Sequence, residues 1–156
     1  MSITPRFGDV DGLRHVNNCV PPIWFETARE PFFRLFHPNL DLAEEWNLVM
    51  ARYSVDFISQ LRLNGVVEIR TFIKKIGRSS VTVHQEAWQN GLLGARGEAV
   101  LVYYDLAALK SLPIPESIRE ELAGHMIDPD NPPASARSGR FPAAREGGSG
   151  TRRKEP

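Results

Sequence analysis

The hydrophobic period of this chain changes once along its length, and that change limits the architectures open to it. From Trp24 the apolar residues Phe25, Ala28, Phe32, Leu35 and Phe36 recur at steps of three and four, the spacing of one helical face. After Asp41 to Glu45, read as a turn or short helical piece, the period falls to two. Ala51, Tyr53, Val55 and Phe57 alternate with Arg52, Ser54 and Asp56, and Val67, Ile69, Thr71 and Ile73 alternate with Glu68, Arg70 and Lys74. Val81, Val83, Gln85 and Ala87 make a third strand, and Ala95 to Tyr103 a long fourth, joined by Asn90-Gly91, a pair suited to the positive φ of a tight hairpin. Ile3 to Phe7 is expected to be a short first strand, and Pro115 to Leu122 a closing helix. These elements predict an α+β fold, one long helix followed by an antiparallel meander. Pro31 lacks an N–H and costs a helix interior roughly 3 kcal/mol, so a kink or a break into two pieces is expected there.

At 156 residues, 42% hydrophobic and 24% charged, the chain has the composition of one globular domain. The basic and acidic residues number 19 each, which gives no reason to expect nucleic acid as a partner. The balance is uneven, however: residues 137–156 carry a net +4 and residues 1–136 a net −4. Beyond Asp128 the sequence is Pro, Gly, Ser, Ala and Arg with one large apolar residue, Phe141. The expected organisation is therefore a domain over residues 1–127 and a disordered basic tail over 128–156. The single cysteine, Cys19, excludes an intrachain disulfide and fits a reducing compartment. With no apolar signal region and no run near the ~20 residues of a membrane span, a cytoplasmic protein is expected.

Chemistry concentrates before the helix, in Asp9-Val10-Asp11-Gly12-Leu13-Arg14-His15-Val16-Asn17-Asn18. Asx and Gly favour a turn, and Asn17 or Asn18 is placed to cap the helix, with Pro21 or Pro22 in its first turn. An oxyanion forming before a helix N-terminus meets unpaired N–H groups and a partial positive charge. Asp9-Val10-Asp11-Gly12 opens like a calcium loop, but Leu13, Arg14 and Val20 break the liganding pattern, and the four histidines lack metal-ligand spacing, so no metal is expected. Phosphate-binding loops and Gly-x-Ser-x-Gly elbows are missing too. On the residues alone, Asp9 and Asp11 read as turn formers and Asn17 as a cap. His15 reads equally as a histidine satisfied by backbone or as one that orients Asp11 or donates to a substrate. Trp24 reads as core or as the floor of an acyl pocket, and Ser79-Ser80 after Gly77-Arg78 as a strand-to-strand turn.

The order Asp9-Val10-Asp11, His15-Val16-Asn17-Asn18, Glu26-Thr27-Ala28-Arg29, Val55-Asp56-Phe57, Lys75-Ile76-Gly77-Arg78-Ser79-Ser80 and Pro113-Ile114-Pro115 resembles the hot-dog-fold acyl-CoA thioesterases of the 4-hydroxybenzoyl-CoA thioesterase-like family over roughly residues 3 to 124. One departure is Pro21, where many relatives carry tyrosine. The resemblance implies a hot-dog fold, an antiparallel sheet wrapped around one long central helix, that dimerises with its active site at the dimer interface. It further implies an acyl-CoA thioesterase needing no cofactor, coenzyme A being part of the substrate. Asp11 matches the catalytic carboxylate, nucleophile or general base, with Asn18 contributing a backbone N–H to the thioester oxygen and His15 beside them. Asn17 and Trp24 stand as substrate-binding candidates beside their readings as cap and core, and the resemblance places Arg78, Ser79 and Ser80 near the bound pantetheine of a partner subunit. Arg62, Lys74, Lys75 and Arg78 are candidates for coenzyme A phosphates. Two other readings are an acyl-carrier-protein thioesterase, with an acyl carrier protein as partner, and a non-catalytic acyl-CoA-binding module.

Overall fold

The alternating stretches form strands, but their order in the sheet is not their order in the chain. The computed structural model describes residues 1–38 and 46–127. The turn expected over Asp41 to Glu45 and the tail expected from 128 onward lie outside the described residues. Strand β1 is Ser2–Ile3, and two helices follow, α1 (Val20–Ala28) and α2 (Glu30–Phe36). Strands β2 (Leu48–Phe57), β3 (Val67–Ile76), β4 (Ser80–Gln89), β5 (Leu92–Asp105) and β6 (Lys110–Ser111) precede the closing helix α3 (Glu116–Ala123). The sheet runs β1-β3-β4-β5-β2, every pairing antiparallel, with β6 on the end of β5.

This order corrects the meander. Strand β2 pairs with β5 and not with its neighbour in sequence, β3, so residues 58–66 carry the chain from one edge of the sheet to the other side. The first strand is also shorter than expected: it ends at Ile3, and Phe7–Asp9 is a single 3-10 turn closed by the Asp9 N–H on the Arg6 carbonyl (2.9 Å). The Asn90-Gly91 hairpin forms as read, with φ of 52° and 75° and Gln89 opposite Leu92. Irregular registers between Met50 and Arg52, Ile73 and Lys75, and Ala87 and Trp88 add local bends that curl the sheet around the helices. The curled antiparallel sheet over a central helix is the hot-dog fold.

The central helix is in two pieces, and the break falls at Arg29, two residues before Pro31. Pro31 occupies the second position of α2, where its missing N–H leaves no bond unmade. Each piece buries its own cluster. Phe25 and Ala28 of α1 cluster with Val67, Ile69, Ala87 and Ala95 of the sheet; α2 and α3 cover Ile73, Val81, Val83 and Leu101, with Phe32 and Leu122 filling the gap. Between the clusters runs a buried polar stitch. Arg29, 1% exposed, donates from Nη1 to Gln85 Oε1 (2.7 Å), and Gln85 Nε2 donates to the Phe25 carbonyl (2.8 Å), which the break releases from regular helical bonding because the Arg29 N–H turns to the Glu26 carbonyl (3.1 Å). The Arg29 guanidinium stands 5.2 Å over the Tyr53 ring, and its burial pulls its pKa below the ordinary arginine range.

The two sheet edges differ. Along β3, the Ile69 N–H donates to the Met1 carbonyl (2.7 Å), the Ile73 N–H to the His125 carbonyl (2.8 Å), and the Ile127 N–H to the Ile73 carbonyl (2.8 Å). Strand β2 pairs on one side only among the described residues.

Candidate functional site

Residues 9 to 17 make a small hairpin whose base presents Asp11 and His15 side by side. Val10 bridges Val16, the Asp11 N–H donates to the His15 carbonyl (2.9 Å), and the Arg14 N–H donates to the Asp11 carbonyl (3.0 Å). The turn is tight enough to hold Arg14 at φ 64°, a left-handed conformation that a residue with a Cβ adopts at a cost. Asp11 Oδ1 accepts the Leu13 N–H (2.8 Å) and the His15 N–H (3.4 Å), an Asx turn. Its Oδ2 and the His15 ring have no hydrogen-bond partner among the described residues. One carboxylate oxygen is thus spent on the turn and the other is not.

Asp9 is used differently. It is 6% exposed, and its Oδ2 accepts the Arg6 N–H (2.7 Å) while Oδ1 takes Arg6 Nη2 (3.2 Å). The Arg6 backbone N–H, more than the guanidinium, holds the Asp9 carboxyl below its usual pKa. A depressed folded pKa favours the fold when Asp9 is ionised. That contribution is complete above about pH 3.9, the unfolded value, and is lost as pH falls through the lower folded one. Asp9→Asn is therefore expected to lower the urea midpoint most at neutral pH, with the gap to wild type narrowing below about pH 4. A gap that is constant or widens toward acid would refute the assignment.

The cap before α1 differs in detail from expectation. Its N-cap residue is Cys19, and Asn17 supports it from two residues upstream, Oδ1 accepting the Cys19 N–H (2.9 Å). The Asn17 N–H donates to the Asp9 carbonyl (2.8 Å), the Val20 N–H donates to the Asn17 carbonyl (2.9 Å), and Pro21 and Pro22 have no N–H. Across residues 17–22, the N–H of Asn18 is the one backbone donor left without an acceptor among the described residues.

An open cleft of ≈ 310 Å³ lies against this hairpin, lined by Asp11, His15, Val16 and residues 57–61. The 57–61 wall is the start of the crossover and is absent from the sequence-based candidates. Its signal was the loss of alternation at Phe57-Ile58, where the chain leaves the sheet. The Ile58 and Ser59 N–H groups both donate to the Gly94 carbonyl (2.8 and 3.0 Å), Ser59 Oγ donates to the Leu93 carbonyl (2.7 Å), and the Val16 N–H donates to the Leu61 carbonyl (2.8 Å). Trp24 does not line this cleft. It is 6% exposed, buried in the cluster that α1 forms with the sheet. Arg78, Ser79 and Ser80 form the β3–β4 turn, where the Gly77 N–H donates to the Ser80 carbonyl (2.7 Å). Ser80 pairs with Val102, while the cleft end of β4 is at Trp88, opposite Leu93. Those ends are separated by roughly 27 Å at ~3.4 Å per residue, so one protomer does not bring this turn to Asp11. No group of three His, Cys, Asp or Glu side chains among the described residues is arranged to hold a metal ion, and no described helix is long and apolar enough to cross a membrane.

The sequence matches the thioesterase-like superfamily over residues 5–122. The chain belongs to that superfamily. Similar solved structures include a predicted thioesterase from Bacillus stearothermophilus, 37% identical, covering 83% of this chain and 96% of that one with a TM-score of 0.78. Another is a thioesterase from Thermus thermophilus complexed with coenzyme A and Zn, 34% identical, covering 78% of this thioesterase-like chain and 94% of that one at a TM-score of 0.68. Among curated proteins, the uncharacterized protein YsmA of Bacillus subtilis (strain 168) is 29% identical over 84 residues, which are 53% of this chain and 55% of YsmA. The matched region thus spans about half the length of that relative.

Proposed function

We propose that the protein is a cytoplasmic acyl-CoA thioesterase, cleaving a thioester to free acid and coenzyme A, with Asp11 as the catalytic carboxylate. The observation that carries this reading is an Asp11 carboxylate oxygen, without a partner among the described residues, on the wall of an open cleft; the Asn18 backbone N–H at the foot of the following helix, which has no acceptor among those residues, supports it. The coenzyme A bound to the Thermus thermophilus relative supports the choice of thioester.

In the general-base form of the reaction Asp11 takes a proton from water and the hydroxide oxygen bonds to the thioester carbon. The Asn18 N–H holds the oxyanion that forms. As the C–S bond breaks, the proton held by Asp11 passes to the departing thiolate, leaving acid and free thiol. In the nucleophilic form Asp11 attacks the carbon directly, the thiolate leaves, and water opens the resulting anhydride. His15, beside Asp11 and unpaired, is placed to donate to the substrate in either form. The turn Arg78-Ser79-Ser80 serves the pantetheine of a second copy, which joins through the open edge of β2. Binding of acyl-CoA is assigned to that shared interface.

The test is thiol release from short, long and aromatic acyl-CoA esters, together with light scattering at micromolar concentration. Turnover of at least one ester by a dimer or larger closed assembly is expected. No release from any ester would overturn the activity, and a fully active monomer would overturn the shared site.

A further inference from the structure

We propose that Leu61 closes the inner end of the cleft and limits the acyl group to a compact one, with Gly94 providing the space in which it sits. The proposal rests on the reading that the acyl part of a thioester enters this cleft. Leu61 lines the cleft together with Asp11 and His15, yet it is only 5% exposed. Its side chain lies so close over Gly94 that a Cβ there would stand 2.3 Å from Leu61 Cδ2 and 2.5 Å from Cγ. It belongs to the same buried cluster as Trp24, Ala87 and Ala95, which are 6%, 0% and 0% exposed. One side of Leu61 therefore faces the cleft and the other faces close-packed core.

This partition is held in place. The Leu61 carbonyl accepts the Val16 N–H at 2.8 Å, which ties it to the hairpin carrying Asp11, and the Gly94 carbonyl fixes Ile58 and Ser59 just upstream. For a substrate to push Leu61 inward it would have to displace the buried side chains of its cluster, which a close-packed interior resists. Val16, Phe57 and Ile58 make the remaining apolar wall, so the cleft suits a short aliphatic acyl group or a single ring, with coenzyme A outside it.

Two substitutions are expected to act in opposite directions. Leu61→Ala removes about three carbons from the end wall and joins the cleft to the space above Gly94. Gly94→Ala inserts a methyl where the Leu61 side chain lies and drives that side chain toward the cleft. A straight-chain series from acetyl-CoA to dodecanoyl-CoA reads both, as kcat/KM for thiol release and as the shift in Tm on binding relative to coenzyme A alone. The wild type should favour the short members and lose about tenfold per excess methylene. Leu61→Ala should move the optimum to longer chains by about three carbons, and Gly94→Ala should move it to shorter ones. Should Leu61→Ala fail to fold by circular dichroism, Leu61→Val and Gly94→Ala carry the comparison. An optimum unmoved in both variants, or moved the same way in both, overturns the proposal. Chain-length-dependent Tm shifts without thiol release from the wild type would sink the hydrolase reading and leave the Leu61 partition standing on the binding series. No Tm shift beyond that of coenzyme A for any ester would overturn both.

Discussion

Asp11→Asn is expected to lower thiol release by at least ~10²-fold while leaving the fold, the assembly and acyl-CoA binding intact, the loss typical of removing a general base or nucleophile. The separation of the two Asp11 oxygens makes this a clean substitution. An asparagine Oδ1 still accepts the Leu13 and His15 N–H groups that hold the turn, and what disappears is the charge and basicity of the oxygen that has no other partner. Asp9→Asn should show the converse, a smaller loss of rate and a larger loss of stability, because both its oxygens are committed to Arg6. Single-turnover rates with the best ester, beside a binding isotherm for each variant, separate the two. Full turnover in Asp11→Asn with none in Asp9→Asn would move the catalytic role to the buried carboxylate.

The largest expected effect on stability is at Gln85. Gln85→Ala removes the acceptor of a buried guanidinium and the donor to the Phe25 carbonyl, leaving both unpaired away from water. A hydrogen bond to a charged group contributes about 1.5–3 kcal/mol and an orphaned buried carbonyl costs about 1–3 kcal/mol, so a total near 3 kcal/mol is expected. At an m-value of about 2 kcal/mol/M that is a fall of roughly 1.5 M in the urea midpoint. Gln85→Glu restores a partner for Arg29 but not the donor to Phe25, and should fall between Gln85→Ala and wild type. A midpoint for Gln85→Ala within about 0.3 M of wild type would show that the stitch does not hold the helix break.

What was legible in the sequence was local. The helical face from Trp24, the strands and the Asn90-Gly91 turn depend on residues a few positions apart, and all form, though the alternation is imperfect: Ala51 and Phe57 of β2 are exposed, and β4 is buried continuously from Val83 to Ala87. The turn that carries Asp11 and His15 was legible for the same reason, though not the Val10–Val16 bridge that makes it a hairpin. The pairing of β2 with β5 was not, because it depends on where residues 58–66 take the chain, and nothing in the period of a strand names its neighbour. Leu61 and the rest of the 57–61 wall come from that crossover, so they were hidden with it. The helix break was expected near Pro31. Its placement at Arg29 follows from Pro31 being accommodated in the first turn of α2 and from Gln85, far away in sequence, satisfying the carbonyl that the break releases.

The unequal sheet edges carry a consequence for how many copies can assemble. One margin is covered by the chain's own first residues and by residues 125–127, leaving outermost only the two residues of β1, and the other, along the ten residues of β2, is free among the described residues. A sheet with two free margins is a monomer unit for a fibre, since each addition leaves a new place to add. A sheet with one behaves like a reagent of valence one. Two copies related by a two-fold axis consume both free margins at once, and growth by strand pairing stops there. Any larger assembly must then be built through faces of the sheet or through helices, which makes its formation separable by mutation from pairing along β2.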